Sequence, residues 1–191
     1  MKQEQKVLPT YSQTDISAFL RHKPKHYCER RLQTIVLMLA DTGCRITELL
    51  TLHWKDVDFD NLLLTVMGKG GKGRVVPFSL ELRKNLFKLQ QAKRMHVSEL
   101  VFATRDGQML GRRNVLRDVK RLAKKIGVKV PERSLHAFRH SFALNYIRKS
   151  GSPFLLQRAL GHSTLDMTKR YVNLNSSDLQ KVHQQVSLLS T

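Results

Sequence analysis

The feature that most constrains this chain is one change of hydrophobic period. Up to about residue 52 the apolar residues recur at helical steps. Leu32, Ile35, Val36 and Leu39 mark a long helix over residues 25–42, with Gly43 as its C-terminal stop. Before it, Thr10 or Ser12 caps a helix carrying Ile16, Phe19 and Leu20, which Pro24 closes. A further helix starts near Arg45 and runs through Leu49, Leu50 and Leu52. Residues 61–66 and 74–78 are instead rich in β-formers, and between them lies Gly68-Lys69-Gly70-Gly71-Lys72-Gly73. That pattern predicts a hairpin with a glycine-rich tip, and Pro77 predicts an edge strand. From Ser79 onward the pattern is helical again, with breaks near 107–111, 127–131, 151–153 and 161. The expectation is an α+β domain, mainly α-helical, with a small antiparallel β-sheet.

Charge narrows the partner. The chain of 191 residues has 34 Lys+Arg against 15 Asp+Glu, a formal net charge of +19. Such an excess calls for a polyanion, either nucleic acid or an anionic membrane surface. The longest apolar run, residues 35–40, is far short of the roughly 20 residues a spanning helix needs. No membrane partner and no secretory signal are expected. Cys28 and Cys44 fall in apolar helical patterns and are expected to be buried free thiols, consistent with a cytoplasmic protein.

Several residue groups could carry chemistry. Gly68, Gly70 and Gly73 satisfy G-x-G-x-x-G, but a strand follows where a dinucleotide site needs a helix. What remains is a loop offering Lys69, Lys72 and Arg74 to a phosphate, or an ordinary solvated turn. His136 and His140 are four apart, yet the residues between them include a basic Arg139 and no glutamate, which argues against a metal pair. Arg45 and Glu48 share a helix face, so Glu48 can orient the guanidinium or simply form a surface ion pair. Two arginines, a lysine, two histidines and a tyrosine suit phosphodiester chemistry without a metal. Arginine forks neutralise phosphate oxygens, and histidines donate to them or move protons. A tyrosine hydroxyl, with a pKa of about 10, needs cationic or basic help to attack.

These motifs, taken in order, resemble the tyrosine recombinase (phage integrase) family. Thr42-Gly43-Cys44-Arg45-Ile46-Thr47-Glu48-Leu49 is similar to its first arginine box, TGxRxxEL. Gly68-Lys69-Gly70 followed by Arg74-Val75-Val76-Pro77 resembles the hairpin that carries its lysine. Leu135-His136-Ala137-Phe138-Arg139-His140 resembles the HxxRH box, and Leu160-Gly161-His162 the LGH box, with Tyr171 nine residues after His162. The resemblance implies the catalytic fold of DNA breaking–rejoining enzymes over residues 9–175, preceded by a flexible segment, 1–8. A tail helix over 176–191, capped by Ser176 or Ser177 and striped by Leu179, Val182, Val186 and Leu189, would dock on its own domain or on a neighbouring protomer.

The resemblance also implies the roles. Tyr171 attacks the scissile phosphate to give a 3′-phosphotyrosyl bond. Arg45, Arg139 and His162 stabilise the transition state, His136 assists the tyrosine, and Lys69 protonates the leaving 5′-oxygen. Glu48 and His140 support, while Lys72 and Arg74 bind DNA. No cofactor or metal is expected. Partners are double-stranded DNA and further copies of the chain, a monomer when free and a tetramer in synapsis, at the nucleoid. The function would be site-specific recombination serving integration, excision, inversion or resolution of a mobile element. Strand nicking and closing of the type IB topoisomerase kind, or a DNA-binding regulator retaining the fold, are the alternatives. Family members usually carry an N-terminal core-binding domain. This chain begins at what looks like the interdomain linker, as an excised fragment or a short recombinase of the fimbrial-switch type would.

Overall fold

A computed structural model describes residues 8–68, 71, 73–92, 98–150, 152–162, 164, 168 and 171. Lys69, Lys72 and the tail helix lie outside the described residues. The helices are α1 (Gln13–Arg21), α2 (Tyr27–Thr42), α3 (Ile46–Leu50), α4 (Leu80–Ala92), α5 (Arg112–Lys125), α6 (Ser134–Ser150) and α7 (Pro153–Leu160). The strands β1 (Val57–Asp58), β2 (Leu63–Met67) and β3 (Gly73–Pro77) form an antiparallel sheet in that order. The chain divides within α6 into two compact units, Met1–Phe142 and Ala143–Thr191.

In the first unit, local signals set most boundaries. Ser12 caps α1 by accepting from the Asp15 N–H, and Asp15 accepts in return from the Ser12 N–H. α1 ends at Arg21, before Pro24 can act. Gln33, buried on α2, donates its amide to the Phe19 and His22 carbonyls (2.9 and 2.6 Å) and satisfies that helix end. α2 stops where expected, because Gly43 takes φ 63° and its N–H reaches the Leu39 carbonyl. α3 is shorter than expected: Leu52 lies beyond it, and its N–H bonds back to the Leu49 carbonyl.

The hairpin is as predicted, shifted by a residue or two, with Met67 paired to Gly73 and Pro77 on the edge strand. β1 was not legible, being only two residues long. Residues 98–111 are also not helical. They form a loop pinned by single bridges, His53 to Leu100 and Ala103 to Met109. Cys44 is fully buried, but Cys28 is only half-buried, correcting the expectation for that thiol.

Three rings seat α6. Tyr11 stacks on Phe138 with centroids 4.1 Å apart, and Phe19 meets both rings edge-on at 6.0 and 5.8 Å. Such pairs each contribute about 0.5–1.5 kcal/mol beyond area burial. Ser141 Oγ accepts from the Tyr11 N–H and donates to its carbonyl (2.8 and 2.9 Å), so the N-terminal segment is tied to the helix turn next to Arg139. Burial pushes the Tyr11 phenol up to about 12.

Candidate active site

In the first unit the site begins at the turn between α2 and α3. Arg45 is the N-cap of α3. A guanidinium cannot accept a hydrogen bond, so the helix end is served by Glu48 reaching back to the Arg45 N–H at 2.8 Å. Glu48 Oε1 also accepts from Arg45 Nη1 at 2.9 Å. Arg74 on β3 completes the set with a two-pronged grip, Nη1 to Oε1 and Nη2 to Oε2, both 2.9 Å. Glu48 is 5 % exposed, so this is no surface pair. Burial opposes its ionisation, but the two arginines and the Arg45 N–H outweigh that and hold the carboxyl below its usual range. The same carboxylate keeps Arg74 charged against its own burial. Arg74, expected to bind DNA, thus has its fork turned onto Glu48.

Arg139 reaches the same turn from α6. It is 6 % exposed, and its Nη1 donates to the Gly43 carbonyl at 2.7 Å. One three-residue stretch therefore anchors both box arginines: Gly43 accepts from Arg139, and Arg45 follows two residues on. Gly43 has to adopt φ 63°, where a side chain would be strained.

His136 lies one helical turn before Arg139. Partial burial of its ring and the like charges of Arg112, Arg139, Arg133 and Arg45 push it below the usual imidazole range. It is therefore neutral near pH 7 and able to take a proton. His140, the next residue after Arg139, is half-buried on the same helix.

Arg112 and Arg133 were not picked out from the sequence. Together with Lys120 and His136 they line a cleft of about 650 Å³, whose lining also includes Leu116, Pro131 and Glu132. Arg133 sits at φ 57°, unusual for a residue with a side chain, and its carbonyl receives the His136 and Ala137 N–H groups that open α6. α5 buries Val115, Val119, Leu122 and Ala123, and exposes Arg112, Arg113, Arg117, Lys120, Arg121, Lys124 and Lys125. The signal for that basic face was the arginine and lysine spacing over 112–125. Among the described residues, no helix is long and apolar enough to cross a membrane.

The second unit holds His162 and Tyr171. α7 starts at Ser152, whose side chain accepts from the Leu155 N–H, with Pro153 in the first turn. It ends in a Schellman motif: Gly161 at φ 64° bonds to the Arg158 carbonyl, and the His162 N–H to the Gln157 carbonyl (3.2 and 3.0 Å). The Leu160-Gly161-His162 box is thus a helix stop that fixes where His162 leaves the helix. His162 Nδ1 lies 2.8 Å from Thr168 Oγ1, and the Tyr171 N–H donates to the Thr168 carbonyl at 3.0 Å. Tyr171 is 5 % exposed and Thr168 fully buried.

The match to the phage integrase family model covers residues 11–178. The chain belongs to that family. It is 34% identical over 153 residues to tyrosine recombinase XerC of Xanthomonas campestris pv. campestris, covering 80% of this chain and 47% of the relative. It is 31% identical over 189 residues to tyrosine recombinase XerA of Pyrococcus furiosus, covering 96% and 64%. The chain thus spans about half to two-thirds of the length of these curated relatives. A crystal structure of XerA recombinase superposes with a TM-score of 0.78 at 27% identity, over 94% of this chain and 65% of that one. The catalytic domain of bacteriophage HP1 integrase shares the fold, with a TM-score of 0.67 at 23% identity over 97% of this chain and 98% of that one. The mainly helical fold with a small antiparallel sheet is therefore that of the integrase catalytic domain.

Proposed function

We propose that this chain cleaves and rejoins double-stranded DNA as a site-specific recombinase, with Tyr171 as nucleophile and a 3′-phosphotyrosyl intermediate. The observation that carries the reading is the Gly43–Arg45 turn. It fixes one arginine by its own helix cap and a second through a backbone carbonyl, with a neutral His136 one turn away. Two forks set in advance are what a phosphorane's extra negative charge requires. The relatives named as tyrosine recombinases favour exchange over simple nicking and closing.

In this mechanism Tyr171 Oη attacks phosphorus and the bond to the 5′-oxygen breaks. The tyrosine proton passes to His136. Arg45, Arg139 and His162 take up charge on the non-bridging oxygens, and Lys69 protonates the departing 5′-oxygen. Attack by a second 5′-hydroxyl reverses the steps, so the bond energy is conserved and no nucleotide is consumed. Lys72 and the exposed basic face of α5 bind backbone phosphates, and Arg74 serves through Glu48. The XerH and Tn1549 integrase structures, each at 24% identity or less, are described as DNA complexes, which supports a duplex partner for this fold. Residues 9–175 form the catalytic domain in this reading, residues 176–191 link protomers in a synaptic tetramer, and the protein works at the nucleoid.

The test is covalent capture. A pool of nicked duplexes with randomised arms should yield a denaturant-resistant adduct that Tyr171→Phe removes while duplex binding persists. An undiminished adduct in that variant would transfer the role to another tyrosine, Tyr146 first. Binding by these residues alone should fall steeply with salt, by about 0.9 log units per log salt for each neutralised phosphate.

A further inference from the structure

We infer that Tyr11 is a positioning residue for the proposed chemistry: it grips the first two turns of α6 at three points and so holds the face that carries His136 and Arg139. The inference rests on the recombinase reading for its catalytic consequence, but the placing of His136 can be measured without DNA.

The geometry lies wholly within the first unit. Tyr11 is 4 % exposed, and each of its parts meets α6. Its phenol lies beside the hydroxyl of Ser134, the first residue of the helix. Its ring stacks on Phe138 with an interplanar angle of 18°. Its main-chain N–H donates to Ser141 Oγ at 2.8 Å, and the single proton of that hydroxyl has two carbonyls in reach, Tyr11 at 2.9 Å and Ala137 at 3.0 Å. Ser134 and Ser141 mark a span of about 10 Å along a helix axis. His136 and Arg139 lie between these anchors. Phe19 meets both stacked rings edge-on and packs them from a further side.

Local forces do not favour a helix start at this place. α6 has no acid in its first turn, Arg133 stands just before it, and Arg139 falls in its second turn. Cations at a helix N-terminus oppose the macrodipole, and the nearest acid in sequence is Glu132, exposed and outside the helix. A phosphate site asks for cations there, so tertiary contacts must hold what the sequence locally resists. Tyr11 supplies such contacts from outside the helix. Without them the first two turns would shift. Arg139 would loosen from the Gly43 carbonyl, and His136 would leave the burial and the arginines that press it below the usual imidazole range. The exposed basic face of α5 would persist, because that helix is seated by Val115, Val119, Leu122 and Ala123.

The experiment is NMR titration of the histidine rings in the full chain, with His136 assigned by its loss in His136→Gln. Ser141→Ala removes the main-chain grip, and Tyr11→Leu removes the stack and the phenol. In both, the His136 midpoint should rise toward the ordinary value of about 6.5. Adduct formation on the nicked pool should fall roughly 10–100-fold, as for a small misplacement of reacting groups, while duplex affinity holds. Ser141→Thr, which keeps the hydroxyl, should match the wild type. Leu89→Val, which lowers stability through the core of α4 and alters none of the three grips, should leave the His136 midpoint in place. A wild-type midpoint in folded Ser141→Ala and Tyr11→Leu overturns the inference, and so does an equal rise in Leu89→Val. Amide exchange decides the case even if neither variant folds. In the wild type, the Tyr11 N–H should open with the same free energy as the N–H groups of residues 138–141. Much faster exchange at Tyr11 would mean that the segment leaves while the helix stays, and the inference falls. Failure of the wild type to form any adduct would instead count against the recombinase reading and leave the His136 result standing.

Discussion

Arg45 and His162 both leave a helix through a left-handed glycine, Gly43 at φ 63° and Gly161 at φ 64°. Past that point their surroundings differ. Arg45 enters an ionic cluster in which one buried carboxylate accepts four hydrogen bonds from two arginines and a backbone amide. His162 instead meets a threonine hydroxyl at its ring, and a glutamine side chain and main-chain groups at its backbone. The difference fits what the proposed mechanism asks of each. A fork that is to meet a dianionic transition state must be charged and fixed before substrate arrives, and a buried counter-charge does both. A ring that is to donate one hydrogen bond needs orientation, and a second carboxylate beside it would cancel the charge the phosphate needs.

Removing the counter-charge should have the largest effect. Glu48→Ala takes from the largely buried Arg74 the carboxylate it grips, and losing one member of a buried pair costs about 3–5 kcal/mol. We place this loss near 3 kcal/mol because Arg45 is partly exposed. Thermal melts should show it, and adduct formation should fail. The double variant Glu48→Ala/Arg74→Ala should recover part of the melting temperature but none of the cleavage. Strict additivity of the two single losses would mean that Glu48 and Arg74 do not act as a pair.

Next in size is Arg139→Lys. It keeps the charge but loses the fork, so cleavage should fall by roughly 100-fold with a stability change of about 1 kcal/mol or less. Equal activity would mean that charge alone suffices at this position. The two glycines offer a matched pair. Gly43→Ala and Gly161→Ala should each cost about 1–2 kcal/mol, since the backbone penalty is the same. Chemical denaturation of both, side by side, tests whether the helix stops are equivalent while their surroundings are not.

The smallest effect concerns His136. Its ring should titrate below about 6.5 by NMR. A depressed value means the fold prefers the neutral ring. The associated stability is then fully present above the unfolded value of about 6.5 and is lost as pH falls through the folded one. Replacing Arg112 by Gln should move the titration upward, because Arg112 heads the charges acting on the ring. An unchanged titration would assign the effect to burial and the remaining arginines.

Short-range chemistry was legible in the sequence. The Gly43 stop, the Ser12 cap, the hairpin with Pro77 on its edge, and the Arg45–Glu48 pair all depend on residues within a few positions of each other. The Glu48–Arg74 grip was not, because 26 residues separate the partners and only the packing of the β2–β3 hairpin against α3 joins them. The same holds for the Arg139 bond to Gly43, across 96 residues. Arg112 and Arg133 gave no local signal, because charge near His136 is a property of the packed helices. β1 is too short to give a period, and Cys28 looked buried because an amphipathic pattern does not say where its edge falls.

Arg133 carries a tension between durability and use. Its backbone is left-handed at φ 57°, a conformation that glycine holds at lower cost by about 1 kcal/mol. Selection for heat resistance alone would therefore favour Arg133→Gly, and a library screened by melting temperature should enrich it. The same exchange removes one of the charges that keep His136 unprotonated and one wall of the basic cleft. Stabilising this protein blindly would begin to disarm it at that position. A screen that scores only folding would record the loss as an improvement.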